Sequence, residues 1–144
     1  MPYEIRRMRS QQDAKELVLL GALDEKQKFF PLVNYPKDAD SVFVASYEGR
    51  VVGGIKYLYL DDSVCWISEI FVHPNHRWYN KVGRRLLRAV EEVAVREGKK
   101  EIALNTLLNL KGFYVKCGFN VISGESEQGL YKMGKILTQV EEGR

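Results

Sequence analysis

The stretch from Val64 to Thr106 constrains the fold more than any other part of the chain. It opens with VCWISEIFV, a nearly continuous apolar run that predicts a central strand covered on both faces. A polar turn follows, and the residues from Gly83 to Glu97 then place leucines, valines and an alanine on one helical stripe. EIALNT predicts the next strand. This order predicts a parallel pair of strands joined by a right-handed crossover.

The residues before this unit predict a strand, two helices and a hairpin. YEIRRMR is typical of a strand, and Ser10 is a suitable N-cap for a helix in SQQDAKELVLL. ALDEKQKFF predicts a second short helix. SVFVASYEGRVVGGIKYLYL predicts a hairpin that turns at Glu48-Gly49-Arg50, and Gly53 and Gly54 indicate a bulge or a close backbone approach in its second strand.

The residues after the unit complete a mixed sheet. NLKGFYVKCGF predicts a short helix ending at Gly118, and FNVISG with GLYKMGKIL predicts a closing hairpin. We therefore expect an α+β fold in one domain over residues 1–144. Its sheet is mixed, mostly antiparallel and of about seven strands, with helices on both faces.

The composition indicates the cellular compartment and the kinds of partner to expect. Apolar residues make up 45% of the chain and charged residues 28%, which is typical of a globular protein. Two cysteines without a CxxC pattern favour a reducing compartment, and the N-terminus lacks the apolar run of a signal peptide. No apolar stretch is long enough to span a bilayer. These features predict a cytoplasmic protein without a membrane partner.

The charge is concentrated in the second half. Residues 71–144 carry 13 Lys and Arg against 8 Asp and Glu, and the net charge of the whole chain is only +3. The basic residues are densest from Arg77 to Lys100. This distribution favours a local anionic ligand over a nucleic-acid surface, which would need a larger basic face interleaved with aromatic residues.

The turn HPNHRWYNKVGRRLL, residues 73–87, is the place where an anion could bind. A strand that feeds a polar turn and a long helix directs free N–H groups and the helix dipole toward the strand end. Lys81, Arg84 and Arg85 add full charges there. His73 and His76 have no further metal-ligand pattern near them, so we expect a strand end and no metal site.

Two stretches resemble a known family. ISEIFVHPNHRWYNKVGRRLLRAVEEVAVREG is similar to the core motif of the GNAT superfamily of N-acetyltransferases. NTLLNLKGFYVKCGF resembles the next motif of that family, a short helix that carries Phe-Tyr and closes with Gly-Phe. The predicted order of elements matches over nearly the whole chain. The resemblance implies acetyl-CoA as the co-substrate, no metal, and transfer of the acetyl group to an amine.

The resemblance also implies a set of residues that contact the cofactor. The backbone of Ile70, Phe71 and Val72 would pair with the pantetheine arm like an added strand. Asn105 and Asn109 would approach the cofactor from the elements that follow. The pyrophosphate would lie on the turn and the helix start, which comprise Trp78, Tyr79, Asn80, Lys81, Val82, Gly83 and Arg84.

Two residues are candidates for proton transfer. Tyr114 would stand near the sulfur and protonate the leaving thiolate, or it would simply pack its ring and bond its hydroxyl to the backbone. Glu69 is the lone carboxylate in a buried-looking strand, where burial would raise its pKa toward that of a useful base. Pairing of Glu69 with an arginine, and proton removal through a water relay, are the alternatives.

The turn departs from the family pattern Arg/Gln-x-x-Gly-x-Gly/Ala. Counted back from Gly83, the first glycine position falls on Lys81. Counted forward from Arg77, the two glycine positions fall on Asn80 and Val82. A turn of this kind usually needs a residue at positive φ, and asparagine enters that region at the least cost after glycine. We therefore predict that Asn80 takes this role.

The leading hypothesis is direct transfer of an acetyl group from acetyl-CoA to a primary amine in a ternary complex. The rival is a degenerate GNAT-fold module that regulates or senses CoA without catalysis, which the glycine-poor turn favours. The expected acceptor is a small-molecule or peptide amine. Its binding site would be shaped by the segments GALDEKQKFFPLVNYPKDAD and SGESEQG. Acidic residues in both segments suit a cationic amine. A monomer and a homodimer both remain open.

Overall fold

The computed structural model of the chain describes residues 3–77 and 81–137. These residues form seven strands and three α-helices. After the first hairpin, the strands and helices follow one another in the predicted order. The elements are β1 (Glu4–Arg7), α1 (Gln11–Gly21), β2 (Val42–Tyr47), β3 (Arg50–Tyr59), β4 (Val64–Val72), α2 (Val82–Arg96), β5 (Glu101–Leu107), α3 (Leu108–Lys116), β6 (Asn120–Ser123) and β7 (Leu130–Ile136).

The strands form one mixed sheet in the order β1-β2-β3-β4-β5-β7-β6. β4 and β5 run parallel, with Val64 opposite Glu101 and Trp66 opposite Ala103. The pairs β1–β2, β2–β3, β5–β7 and β6–β7 are antiparallel. The α+β class, the mostly antiparallel sheet of seven strands and the central place of β4 are confirmed.

The chain divides into two compact units. The first comprises the residues up to Tyr57 together with Ser68–Val90, and its core is built around Leu17, Phe30 and Val44. The second comprises Leu58–Ile67 together with the residues from Glu91 onward. Its fully or almost fully buried side chains include Cys65, Ile102, Leu104, Phe119 and Met133. The expectation of one domain over residues 1–144 stays a prediction.

Two adjacent glycines in β3 allow helices to pack on both faces of the first unit. A side-chain carbon added at Gly54 would collide with Leu17 of α1, and one added at Gly53 would press on Leu86 of α2. Neighbouring residues of a strand point to opposite faces. α1 and α2 therefore lie on opposite faces of the sheet, and the predicted close backbone approach is confirmed. The register between β2 and β3 also shifts after Ala45, as a bulge requires.

Several predicted boundaries are confirmed by local geometry. Ser10 accepts a hydrogen bond from the Asp13 N–H and caps α1. Glu48 and Gly49 both have positive φ between β2 and β3, as in the tight hairpin turn that matches strand twist. Gly98 and Gly118 have positive φ just beyond α2 and α3 and end these helices.

The predicted second helix in ALDEKQKFF is wrong. Residues 22–30 form turns, because the Asp24 carboxylate accepts the N–H groups of Lys26 and Gln27 and so closes a local turn. Lys28 and Phe30 then have φ values of 50° and 56°, which no α-helix contains. Phe30 is fully buried, so its packing outweighs the helical preference of the segment.

The expectation that β4 is covered on both faces is also wrong. Cys65 and Ile67 are buried, whereas Val64 and Trp66 are only half-buried, so the strand alternates. Burial raises the pKa of the Cys65 thiol to about 12, which keeps it protonated and supports its reading as a core residue. Cys117 is only partly buried. No helix within the described ranges is long and apolar enough to cross a membrane.

Candidate active site

The carboxyl end of β4 is tied to the segment that follows α1. The Phe71 ring stacks on Phe29, with ring centres 4.8 Å apart, and only 6% of Phe71 is exposed. The Val72 carbonyl accepts a hydrogen bond from the Nε of Arg77 at 2.8 Å. Ile70, between Glu69 and Phe71, is half-buried. This strand end is thus fixed by aromatic packing and by one cation.

Glu69 holds a strained turn in place. Its Oε1 accepts the backbone N–H of Phe30 at 2.7 Å, and Phe30 has a positive φ. Among the described residues, Glu69 forms no pair with an arginine, so that alternative finds no support. A carboxylate bonded through one oxygen retains acceptor capacity on the other. Glu69 therefore has a structural contact and still fits the role of a base.

One described residue of the turn before α2 has a positive φ. Lys81 has φ 51° and is exposed, and its carbonyl accepts the Arg85 N–H at 3.0 Å to begin the helix. The first N–H groups of any α-helix have no carbonyl in a preceding turn. For Val82, Gly83 and Arg84 the carbonyls four residues earlier are those of residues 78–80, which lie outside the described part of the chain. Because the Val82 side chain is fully buried, only its backbone could contact a ligand.

Three residues assigned to the cofactor, Trp78, Tyr79 and Asn80, lie outside the described residues. The predicted positive φ at Asn80 therefore stays a prediction. The structure gives that conformation to Lys81, which is the first glycine position when the family pattern is counted back from Gly83. The competing glycine position in the count forward from Arg77 is Asn80, which lies outside the described residues.

Arg85 has a structural contact in addition to its charge. Its Nη2 donates to the carbonyl of Tyr3 at 3.2 Å, so the guanidinium connects α2 to the residue before β1. Arg84 is half-buried in the first turn of α2. Lys81, Arg84 and Arg85 stay the predicted cations of the turn.

The two histidines of the turn serve local structure. His73 Nδ1 accepts the Asn75 N–H at the start of a single 3-10 turn, Pro74–His76. His76 Nδ1 lies 2.7 Å from the Tyr3 hydroxyl. Within residues 3–77 and 81–137, no group of three or more His, Cys, Asp and Glu side chains is arranged to hold a metal ion.

The second unit contains the other assigned residues. Asn105 lies on β5 opposite Lys132, and Asn109 lies in the first turn of α3; both are exposed. Their amide groups can contact a ligand without displacing core residues. β5 passes directly into α3 at Leu107, so the two asparagines lie on either side of one strand–helix junction.

Tyr114 is the most enclosed polar side chain of the assigned set. Only 5% of it is exposed, and its ring lies edge-on to Phe113 and Phe119. Burial raises the pKa of Tyr114 well above that of a free phenol, and the nearby Cys117 contributes in the same direction. No residue in the described ranges forms a hydrogen bond with its hydroxyl, so the purely structural alternative finds no support. The result is a neutral O–H group without an acceptor in the described part of the chain.

The structure thus groups the assigned residues into two sets, each within one unit. Glu69, Ile70–Val72 and Lys81–Arg84 belong to the first, and Asn105, Asn109 and Tyr114 belong to the second. The sequence analysis missed Arg77 and Phe29 as site residues. The basic residue next to the strand end was a usable signal for Arg77, whereas nothing local to Phe29 indicates its contact with Phe71.

Comparison with known proteins places these elements in a family. The model of the acetyltransferase (GNAT) family matches residues 7–119. A search of curated protein sequences finds no match.

Solved structures of low sequence identity share the fold. An acetyltransferase from Streptococcus agalactiae is 20% identical with a TM-score of 0.75, and 94% of this chain and 98% of that chain are covered. The PaiA N-acetyltransferase from Thermoplasma acidophilum, in complex with coenzyme A, is 18% identical with a TM-score of 0.74, at 94% and 99% coverage.

A third structure, N-acetylglutamate synthase from Neisseria gonorrhoeae with coenzyme A and N-acetyl-glutamate, is 15% identical with a TM-score of 0.74. Here 96% of this chain matches 36% of that longer one. At these identities the structures establish the fold alone, and the family model, which spans most of the chain, establishes the family. The chain belongs to the GNAT family of acetyltransferases.

Proposed function

We propose that the protein is an N-acetyltransferase that moves an acetyl group from acetyl-CoA to a primary amine by direct attack in a ternary complex. The observation that carries the proposal is the environment of Tyr114, a protonated and enclosed hydroxyl that has no acceptor among the described residues. Membership of the family and the coenzyme A bound by two of the similar structures support it. Both cysteines are free thiols, which fits a cytoplasmic location.

The residues present fit a CoA-like ligand. Lys81 and the first turn of α2 offer backbone N–H groups and positive charge to a pyrophosphate. The backbone of Ile70, Phe71 and Val72 would pair with the pantetheine arm, as one strand pairs with another. Asn105 and Asn109 would donate amide hydrogen bonds to the same ligand.

Acetyl-CoA supplies a thioester whose carbonyl carbon an amine can attack. Tyr114 donates its proton to the sulfur as the carbon–sulfur bond breaks, and regains one from solvent. Glu69 accepts the proton that the attacking amine loses, directly or through water. Its oxygen not bonded to Phe30 is the acceptor in this scheme. The proton removed at nitrogen and the proton delivered to sulfur balance.

Acetyl-CoA should raise the melting temperature of the protein, because a ligand that binds only the folded state stabilises it by mass action. Thiol release in a screen of primary amines then tests transfer. A melting shift with turnover on at least one amine is the expected result. No shift at millimolar acetyl-CoA would contradict the proposal and favour a module without cofactor.

Substitutions of Lys81 should show whether the turn binds the pyrophosphate. We expect Lys81→Gly to bind CoA about tenfold more tightly than Lys81→Val, on the order of 1.4 kcal/mol, with Lys81→Asn in between. All three variants lose the same charge, so their order reports only the cost of positive φ, which is highest for a β-branched residue. Titration calorimetry with CoA measures the affinities.

Glu48→Gly is the matched control for this series. Glu48 also has a positive φ of 51° and is exposed, but it lies in the β2–β3 turn. The Glu48→Gly substitution should leave the CoA affinity unchanged. Equal affinities across the Lys81 series would mean that the turn is only a connection between strand and helix.

A further inference from the structure

Arg77 is held in one orientation at the end of β4. Its Nε donates to the Val72 carbonyl at 2.8 Å, and its guanidinium carbon lies 5.0 Å from the centre of the Phe71 ring. No hydrogen bond to a described residue uses its two terminal nitrogens. An ordinary surface arginine samples many rotamers and loses that freedom on binding. A guanidinium fixed in advance loses less, and its fork is ready for a planar anion.

The surroundings of Arg77 combine an aromatic surface with a carboxylate. Phe71 lies beneath the guanidinium and stacks on Phe29. Glu69 precedes Phe71 by two residues on β4, which places their Cα atoms roughly 6–7 Å apart on the same face of a regular strand. Both side chains contact the same short segment, since Glu69 accepts the Phe30 N–H and Phe71 stacks on Phe29. This end of the strand thus carries a carboxylate and, over a buried ring, a guanidinium.

We infer that the acceptor is an amine that also carries a carboxylate, as an amino acid does, and that Arg77 binds this carboxylate. The inference rests on the proposed acetyl transfer. Arginine pairs with a carboxylate through two parallel hydrogen bonds, which fixes direction as well as distance. The amine then points toward Glu69. The anion bound by Arg77 could also come from the phosphates of CoA, and the experiment separates these two sources.

The test compares amino acids with their carboxamides, which keep the amine and lose the negative charge. Turnover is followed by thiol release at saturating acetyl-CoA. The wild type should use the best amino acid at least about tenfold more efficiently than its amide, in kcat/KM. Arg77→Gln should abolish this preference by raising KM for the amino acid and leaving the amide unaffected. Arg77→Lys should restore only part of it, because an ammonium lacks the planar fork.

Arg50→Gln is the matched control, since Arg50 is an exposed arginine of the β2–β3 turn region in the same unit. It should keep the preference of the wild type. Melting temperatures of all variants show that the fold is intact.

Equal efficiency of the wild type on acids and amides would overturn the inference. So would an Arg77→Gln variant that binds CoA more weakly by calorimetry and keeps the preference, because the guanidinium would then serve the cofactor. A failure of the proposed function appears differently, as no transfer to any amine. Transfer that is indifferent to the carboxylate contradicts only the inference.

Discussion

Replacing Tyr114 with phenylalanine should lower kcat about 100-fold, the lower range for loss of a general acid. The leaving thiolate would then depart without a proton, whereas binding of CoA would change little, since the hydroxyl acts on charge that develops during the reaction. Steady-state kinetics on an accepted amine, with CoA affinity from calorimetry, provide the measurement. Unchanged turnover would remove Tyr114 from the mechanism.

The fold should tolerate this change. The ring keeps its edge contacts with Phe113 and Phe119, and no hydrogen bond to a described residue is lost. Tyr131→Phe is the matched control: it removes a hydroxyl from a half-buried tyrosine of β7 in the same unit and should leave kcat unchanged. Similar losses in both variants would point to a general effect on the unit and not to proton donation.

The pKa of Tyr114 also fixes the pH range of its role. Because burial raises this pKa above the ordinary value of 10.0, the hydroxyl stays protonated at every pH at which acetyl transfer is normally assayed. The folded state holds the proton more tightly than the unfolded state does. The stability linked to Tyr114 is therefore complete below pH 10 and is lost as the pH rises above it.

The sequence predicted the elements that local patterns decide. β4 and α2 follow from an apolar run and an apolar stripe. The β2–β3 turn follows from two β-rich runs that flank Glu48-Gly49-Arg50, in which the glycine suits positive φ. The second helix failed because contacts distant in sequence decide the conformation of residues 22–30. Phe30 is buried in the core and its N–H is bonded to Glu69, 39 residues further along the chain. No helical pattern within the segment could reveal that bond.

In the candidate site, too, local sequence patterns predict some features, and contacts between residues distant in sequence decide others. Tyr114 is a candidate because of the motif around it, and Glu69 is a candidate because it is the lone carboxylate of β4; both features are local in sequence. The contact between Phe29 and Phe71 joins residues 42 positions apart, so it was visible only in the fold. Lys81 was missed as the residue at positive φ because its long side chain makes it a poor candidate by preference alone. The start of α2, which needs the Lys81 carbonyl for Arg85, outweighs that preference.

The largest expected loss of stability follows removal of Asp13. Its carboxylate accepts Nη1 of Arg6 at 2.7 Å, Nη2 of Arg6 at 3.0 Å and the Arg9 N–H at 2.9 Å. Only 8% of the Asp13 side chain and 16% of the Arg6 side chain are exposed. The Nε of Arg6 already lacks a hydrogen bond within the described chain, although Glu4 lies 3.5 Å away, so Asp13 is the main partner of this charge.

Asp13→Ala should therefore lower the free energy of unfolding by about 3 kcal/mol, the lower end for leaving a buried charge without its partner. Urea unfolding at pH 7 provides the measurement. Asp62→Ala is the control, because Asp62 is exposed and makes no hydrogen bond to a described residue, and it should change the free energy of unfolding by less than about 0.5 kcal/mol. A loss below about 1 kcal/mol for Asp13→Ala would mean that the pair does not anchor α1 to β1.

The pH dependence tests the same bond through its charge. The hydrogen bonds from Arg6 lower the pKa of Asp13 below its ordinary value of 3.8 and raise that of Arg6. When folding lowers the pKa of a carboxyl group, the stability that this group contributes is complete above the pKa of the unfolded state. It is lost as the pH falls through the pKa of the folded state. Asp13→Asn keeps the shape and cannot ionise. Its deficit relative to wild type should stay constant from pH 8 to about pH 5 and narrow below about pH 4. A deficit that is unchanged down to pH 2 would show that shape, and not the charge of Asp13, holds α1 against β1 and with it the segment that carries Phe29 and Phe30 to the site.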